Sequence, residues 1–242
     1  MDSAVPAVLV LWDVDHTLIE NGGVSKETYA GAFELLTGRP AEFRAETDGR
    51  TDLEIMTNLL SRHGVEATES HMTRLPEVLQ ASLAARRDRL RELGYGLPGA
   101  QEAITALSRV PGVIQSVLTG NIQPNAFVKV EAFELHQGLD FEVGGYGSDD
   151  IVRANLVEVA RKRARAKYGV DLQTSTTILI GDTVRDVQAA LNGGAVAIGV
   201  ATGPNTMAEL LAEGAEAAFP DLVDVAALVR AVTAIQARVT AA

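Results

Sequence analysis

The 242-residue chain contains no cysteine, which excludes disulfides and zinc–thiolate sites. No apolar run approaches the ~20 residues that a bilayer-spanning helix needs, and the opening MDSAVPAVLVLW has no basic stretch ahead of its apolar residues. A soluble, cytoplasmic protein with no membrane partner is expected. Basic residues are also scarce. Only 21 Lys and Arg stand against 32 Asp and Glu, for a formal net charge of −11. That balance argues against nucleic acid as a partner, because non-specific binding needs a basic footprint. It does not bar a small anion, since a bound cation or a local basic group reverses the field nearby. The one basic cluster, RKRARAK at 161–167, lies in a helical stretch and reads as a solvated helix face.

What is present is an ordinary globular composition, 47% hydrophobic and 22% charged. Short, β-branched-rich runs at 7–12, 113–118, 177–180 and 195–200 are bounded by turn residues and suit strands buried on both faces of a parallel sheet. FEVGG at 141–145 reads as a further strand. Helical patterns fill 99–108, 124–135, 151–167 and 184–192, with a terminal helix over 226–242. This alternation predicts an α/β fold, a doubly wound parallel sheet of Rossmann-like type. Residues 24–93 break it with three helical stretches that stop at Gly38, Gly64 and Gly94 and start near Ser25, Thr51 or Asp52, and Ser70. The chain therefore divides into a core of residues 1–20 and 96–242 and a helical insert over 21–95, with ENGG (20–23) and GYGLPG (94–99) as its joints.

In open parallel sheets, ligands bind beyond the carboxyl ends of the strands. The first strand ends in Asp13-Val14-Asp15-His16-Thr17, the second in Leu118-Thr119-Gly120-Asn121, and a later one in Gly181-Asp182-Thr183-Val184-Arg185-Asp186. Asp182 and Asp186 are four apart at the opening of a helix and can face one crevice. Like charges about 4 Å apart repel by about 4 kcal/mol at an effective dielectric of 20, so such convergence needs a neutralising partner. An all-oxygen set points to Mg²⁺, which commonly shares its sphere with phosphate. Phosphoryl chemistry follows.

DVDHT, LTGN and GDTVRD, in this order, resemble three of the four motifs of the haloacid dehalogenase-like hydrolase superfamily, and the insert resembles its C1-type cap. The likeness covers essentially the whole chain and is nearest to the phosphoglycolate phosphatase-like branch. It implies a Mg²⁺-dependent phosphatase acting on a small phosphorylated metabolite, a phosphoglycolate-like ester or a sugar phosphate. By that resemblance Asp13 is the nucleophile that forms an aspartyl-phosphate, and Asp15 protonates the leaving group and then activates water. Asp13, Asp182 and Asp186 supply carboxylates to the metal, and Asp15 its backbone carbonyl. Thr119, Gly120 and Asn121 hold the phosphoryl oxygens. Dehalogenases of the family lack the second aspartate, so Asp15 favours a phosphatase.

Two features depart from the family pattern. His16 stands where glycine is common, and an imidazole there alters the loop, touches substrate or is a surface histidine. The basic residue of the third motif is usually lysine. Arg153 is preferred here, by its place before a helix, with Lys129 as the rival. In the insert, Arg50 sits in the loop DGRTD and either binds an anionic end of the substrate or is a surface arginine. His63, His71 and His136 show no ligand spacing. Two other functions share parts of this pattern: a phosphomutase of the β-phosphoglucomutase type, and a non-catalytic receiver-like module phosphorylated on aspartate. A phosphonatase is disfavoured, since Lys26 alone in the insert could serve as its Schiff-base lysine. Whether the chain is a monomer or a homodimer is not readable from the sequence.

Overall fold

The computed structural model describes residues 7–170, 172 and 176–240. The first strand, β1 (Val8–Trp12), is apolar at every position and buried at every position. Only the centre of a sheet covered on both faces makes that favourable. It pairs in parallel with β4 (Val113–Thr119) on one side and β6 (Thr177–Gly181) on the other. β5 (Gly145–Tyr146) extends the β4 edge; β7 (Val196–Val200) and β8 (Ala217–Phe219) extend the other. The order is β5-β4-β1-β6-β7-β8, with every pairing parallel.

Successive β1 side chains enter opposite layers, as the two-residue period of a strand requires. Val8, Val10 and Trp12 pack with Ala100, Ala103, Ile104 and Leu107 of α5 (Ala100–Leu107) and with Leu228, Val232 and Ile235 of α10 (Val225–Thr240). Leu9 and Leu11 pack with Leu156, Val157 and Ala160 of α7 (Asn155–Tyr168) and with Val187 and Ala190 of α8 (Val184–Asn192). Both layers are apolar, the first with Trp12 and Tyr146 among its aliphatic side chains. The tips of β1, β4 and β6 emerge side by side between them.

The chain leaves this body through β2 (Ile19–Glu20) and returns through β3 (Tyr95–Gly96), which pair antiparallel as a two-stranded ribbon. Between them lie α1 (Val24–Thr37), α2 (Asp52–Arg62), α3 (Glu69–Ala84) and α4 (Arg87–Leu93). Tyr29, Phe33, Ile55, Met56, Leu59, Leu75 and Leu79 form an apolar cluster within this insert, and Ile122 joins it from the body.

Several expectations need correction. The strand at 141–145 is mostly turn: Ser116 Oγ and the Glu142 amide bond the carbonyl and carboxylate of Asp140, and only Gly145 pairs with β4. Gly23 rather than Ser25 caps α1, because the Ser25 hydroxyl is turned to Asp15. Thr68 rather than Ser70 caps α3, and Thr51 rather than Asp52 caps α2. The third helical stretch breaks at 85–86 into α3 and α4. The basic run at 161–167 is not wholly a solvated face. Arg161 is buried and donates to Thr177 Oγ1 and to the carbonyls of Gly193 and Gly194, tying α7 to the start of β6 and the end of α8. Helix α9 (Met207–Glu213) and strand β8 add one αβ step near the chain end that the sequence pattern did not separate. Among the described residues, no helix is long and apolar enough to cross a membrane.

Candidate active site

Asp13 follows β1 directly, and its amide is held by the carbonyl of Ile180 at 2.9 Å. This bond continues the β1–β6 ladder by one step, so the nucleophile candidate stands on rigid backbone. Asp182 follows β6 in the same way. Asp186 lies in the first turn of α8, where the Thr183 amide and hydroxyl both donate to its Oδ2, at 3.0 and 2.6 Å. This capping box leaves Oδ1 aimed outward. Asp182 is pinned likewise: Thr17 Oγ1 donates to its Oδ1 at 3.1 Å. All three carboxylates are buried, and ligand oxygens of the three lie within 4.8 Å of one another.

Asp182 Oδ2 is buried without a hydrogen-bond partner, and Asp186 Oδ1 has none beyond an ion pair with Arg153. A buried oxygen that lacks a donor costs free energy unless another positive group takes that place. Gly203 keeps the space open, since a Cβ there would lie 1.7 Å from Asp182 Oδ2. Among the described residues, the one cation against the cluster is Arg153, whose Nη2 donates to Asp13 Oδ1 at 2.6 Å and lies 2.5 Å from Asp186 Oδ1. Three carboxylates and one guanidinium leave two negative charges uncompensated, which a divalent cation with oxygen ligands fits in both charge and donor type.

The electrostatics agree. Burial pushes the Asp13 carboxyl up to about 7; Arg153 pulls against this, and Asp186 and Asp15 add to it. Burial raises Asp182 well above the carboxylate range, with Asp186 and Asp13 reinforcing. Asp15 goes the other way. Burial alone would raise it, but the Lys129 ammonium and the Asn121 amide outweigh burial and hold it near about 2.

Lys129 therefore stands in the candidate site, but beside Asp15 rather than Asp13. Its Nζ, buried on α6 (Gln123–Glu131), donates to both Asp15 oxygens (2.9 and 2.6 Å), to Ser25 Oγ (2.8 Å) and to Asn121 Oδ1 (2.7 Å). Asn121 Nδ2 bonds Asp15 Oδ2 and Thr119 Oγ1, so the tips of β1 and β4 form one hydrogen-bonded unit. Asn21 and Ser25 add two more donors to Asp15. The sequence carried a signal for Lys129: it stands four residues from Asn125 on α6 and shares one buried face with it, Ala126 and Val130.

His16 has φ of +63°, a left-handed conformation that costs a side-chain-bearing residue roughly 1–2 kcal/mol. This explains why glycine suits the position. Its Nδ1 meets Glu20 Oε2 at 2.8 Å, and its carbonyl accepts from Thr202. His16 and Arg50 both line the cavity over Asp13, but the Arg50 guanidinium is engaged by Glu46 (2.6 Å) and Glu54 (3.1 Å). Thr119, Gly120 and Asn121 also line it. The cavity volume is about 40 Å³, room for a few waters.

A family model described as haloacid dehalogenase-like hydrolase matches residues 10–191, a span that includes Asp13, Thr119, Arg153, Asp182 and Asp186. The chain belongs to this family. Solved structures with the same fold include a hydrolase from Pseudomonas syringae (19% identity, TM-score 0.66, 93% of this chain and 99% of that chain). A second is CbbY from Rhodobacter sphaeroides in complex with phosphate (18%, 0.66, 90% and 96%). A third is a protein from Clostridium acetobutylicum described as a predicted phosphatase (17%, 0.66, 93% and 99%). A search of curated proteins finds no match to this chain. The sequence-derived membership and α/β fold thus hold for this hydrolase.

Proposed function

We propose that this hydrolase is a Mg²⁺-dependent phosphatase that cleaves a small phosphorylated metabolite, a phosphoglycolate-like ester or a sugar phosphate, in the cytoplasm, with residues 21–95 as its cap. The observation that carries this reading is the buried cluster of Asp13, Asp182 and Asp186, in which Asp182 Oδ2 has no hydrogen-bond partner and Asp186 Oδ1 meets only Arg153. Asp182 and Asp186 would hold the cation with Asp13 and the Asp15 carbonyl. When bound, the metal supplies charge neutralisation to the phosphoryl oxygens and to the carboxylates around them.

Asp13 attacks phosphorus in line: its carboxylate oxygen forms the new bond to phosphorus as the ester oxygen leaves. Thr119 Oγ1 and the amides of Gly120 and Asn121 receive the transferring oxygens. Arg153 keeps Asp13 aimed and carries fixed positive charge to the same place. Asp15, as the ionised carboxylate that Lys129 maintains, is in the form that takes a proton from the hydrolytic water. In the first step Asp15, having taken up a proton from solvent, gives it to the leaving alkoxide; in the second, water attacks phosphorus, its proton goes to Asp15 and the Asp13–phosphorus bond breaks, releasing phosphate.

A panel of phosphate esters assayed with Mg²⁺ tests this reading. Release of inorganic phosphate, lost in Asp13→Asn with the fold intact, is expected. Isomerisation of a sugar phosphate without net phosphate release would instead make the chain a mutase, and no turnover of any ester would leave a phospho-aspartate binding module.

A further inference from the structure

We infer that Asp52, on the insert, is a positioning residue for the phosphoryl-binding turn at 119–122. This rests on the phosphatase reading of that turn.

A carboxylate in the first turn of a helix ordinarily serves its own helix's free amides. Asp52 does not. Thr51 already caps α2 by accepting from the Glu54 amide. Asp52 is buried at 1% exposure, and its carboxylate reaches across to the body of the molecule. Oδ2 accepts from the Ile122 amide at 2.8 Å, and Oδ1 accepts from the hydroxyl of Tyr29. Its own amide donates to the Gly120 carbonyl at 2.7 Å. One insert residue thus grips both ends of the segment 120–122, the segment to which the phosphatase reading assigns the phosphoryl oxygens. The fit is close: a Cβ on Gly120 would lie 1.8 Å from the Arg50 carbonyl oxygen. The neighbouring Thr51 hydroxyl bonds the Ile151 carbonyl, so the same stretch of insert also leans on the loop that leads to Arg153.

Burying a carboxylate is costly, and this one is stabilised by a single hydroxyl, a single amide and more distant charge from Lys129. It is spent on an amide two residues from Gly120 and three from Thr119. The turn therefore takes its working shape only with the insert docked on it. The insert does more than exclude water: it completes the anion site.

The test compares Asp52→Ala, Asp52→Asn and Asp52→Glu in the full chain with saturating Mg²⁺. Inorganic phosphate is the probe by calorimetry, and p-nitrophenyl phosphate is the substrate. The main-chain bond to Gly120 survives in every variant, so the side chain alone is varied. Loss of one charge-assisted acceptor predicts a dissociation constant for phosphate raised about tenfold to a hundredfold in Asp52→Ala, with kcat/KM lowered in parallel. Asn keeps an acceptor oxygen and should restore most of both. Glu keeps the charge but moves the oxygen off the Ile122 amide, and should behave like Ala. The Mg²⁺ concentration for half-maximal thermal stabilisation should stay at the wild-type value in all three, which a general loosening of the fold would not give. Should Asp52→Ala not fold, the Asn and Glu pair decides. Wild-type phosphate affinity in a folded Asp52→Ala or in Asp52→Glu overturns the inference alone. A wild type that neither binds phosphate nor turns over any ester overturns the phosphatase reading as well.

Discussion

Removing divalent metal should destabilise the protein, and the size of the effect follows from the carboxylate cluster. Charges 4.8 Å apart repel by about 3.5 kcal/mol at an effective dielectric of 20, and Arg153 offsets only part of the sum over Asp13, Asp182 and Asp186. Without metal, the folded state relieves this by holding protons. The Asp13 carboxyl, raised to about 7, stays protonated where the unfolded chain, at about 3.8, has lost its proton. The unfolded state then binds fewer protons, so apo stability falls as pH rises from about 4 to about 7, and Asp182, also raised by burial, acts in the same direction. Mg²⁺ replaces those protons, so its stabilisation grows over the same window. At a hundredfold excess over its dissociation constant it should add about 2.7 kcal/mol. For a chain of this size that is a rise in Tm of roughly 5–11 °C. The assay is thermal unfolding in chelator and in Mg²⁺ at pH 5, 6, 7 and 8, with Asp186→Asn as a variant that loses most of the gain. A Tm insensitive to chelation and to added Mg²⁺ at all four values would refute the reasoning.

Three further outcomes are expected. Gly203→Ala drives a methyl into the Asp182 carboxylate, so the Mg²⁺ concentration for half-maximal activity should rise at least about tenfold, one lost ligand contact being worth ~1.4 kcal/mol or more; an unchanged Mg²⁺ titration contradicts it. Lys129→Met strands Asp15 among polar groups built around an ammonium and should cost about 3 kcal/mol in urea unfolding, whereas wild-type stability would show the pair to be dispensable. Arg161→Met leaves the Gly193 and Gly194 carbonyls short of donors far from the cavity, so it should lower stability by at least about 2 kcal/mol while leaving KM unaltered; a raised KM would tie that buried arginine to the site.

The parallel sheet and the positions of its acidic tips were legible because burial on both faces demands unbroken apolar runs. A polar residue ending such a run is conspicuous, as at Asp13, Thr119 and Asp182. Arg153 was found by its position before a helix, and it lies against Asp13. What was not legible depends on which way a side chain turns. Ser25 and Asp52 stand where helix caps are sought, yet both reach away from their own helices, to Asp15 and to Ile122. Lys129 is a candidate from the sequence, but only tertiary packing shows that its side chain turns inward against Asp15 rather than Asp13. Arg161 hides in a basic run for the same reason. The Asp140–Val143 turn was mistaken for strand because apolar residues flank it, and its side-chain hydrogen bonds carry no periodic signal.

The central claim is that Asp13 forms a covalent phosphoryl adduct. Rapid mixing of the enzyme with Mg²⁺ and its best phosphate ester, acid quench within one turnover, and mass analysis of peptides test this directly. The account predicts one added phosphoryl group on the peptide that contains Asp13, absent in Asp13→Asn, appearing before free phosphate and decaying as it is released. Steady turnover with no adduct on that peptide at any quench time, or an adduct that persists in Asp13→Asn, would contradict it.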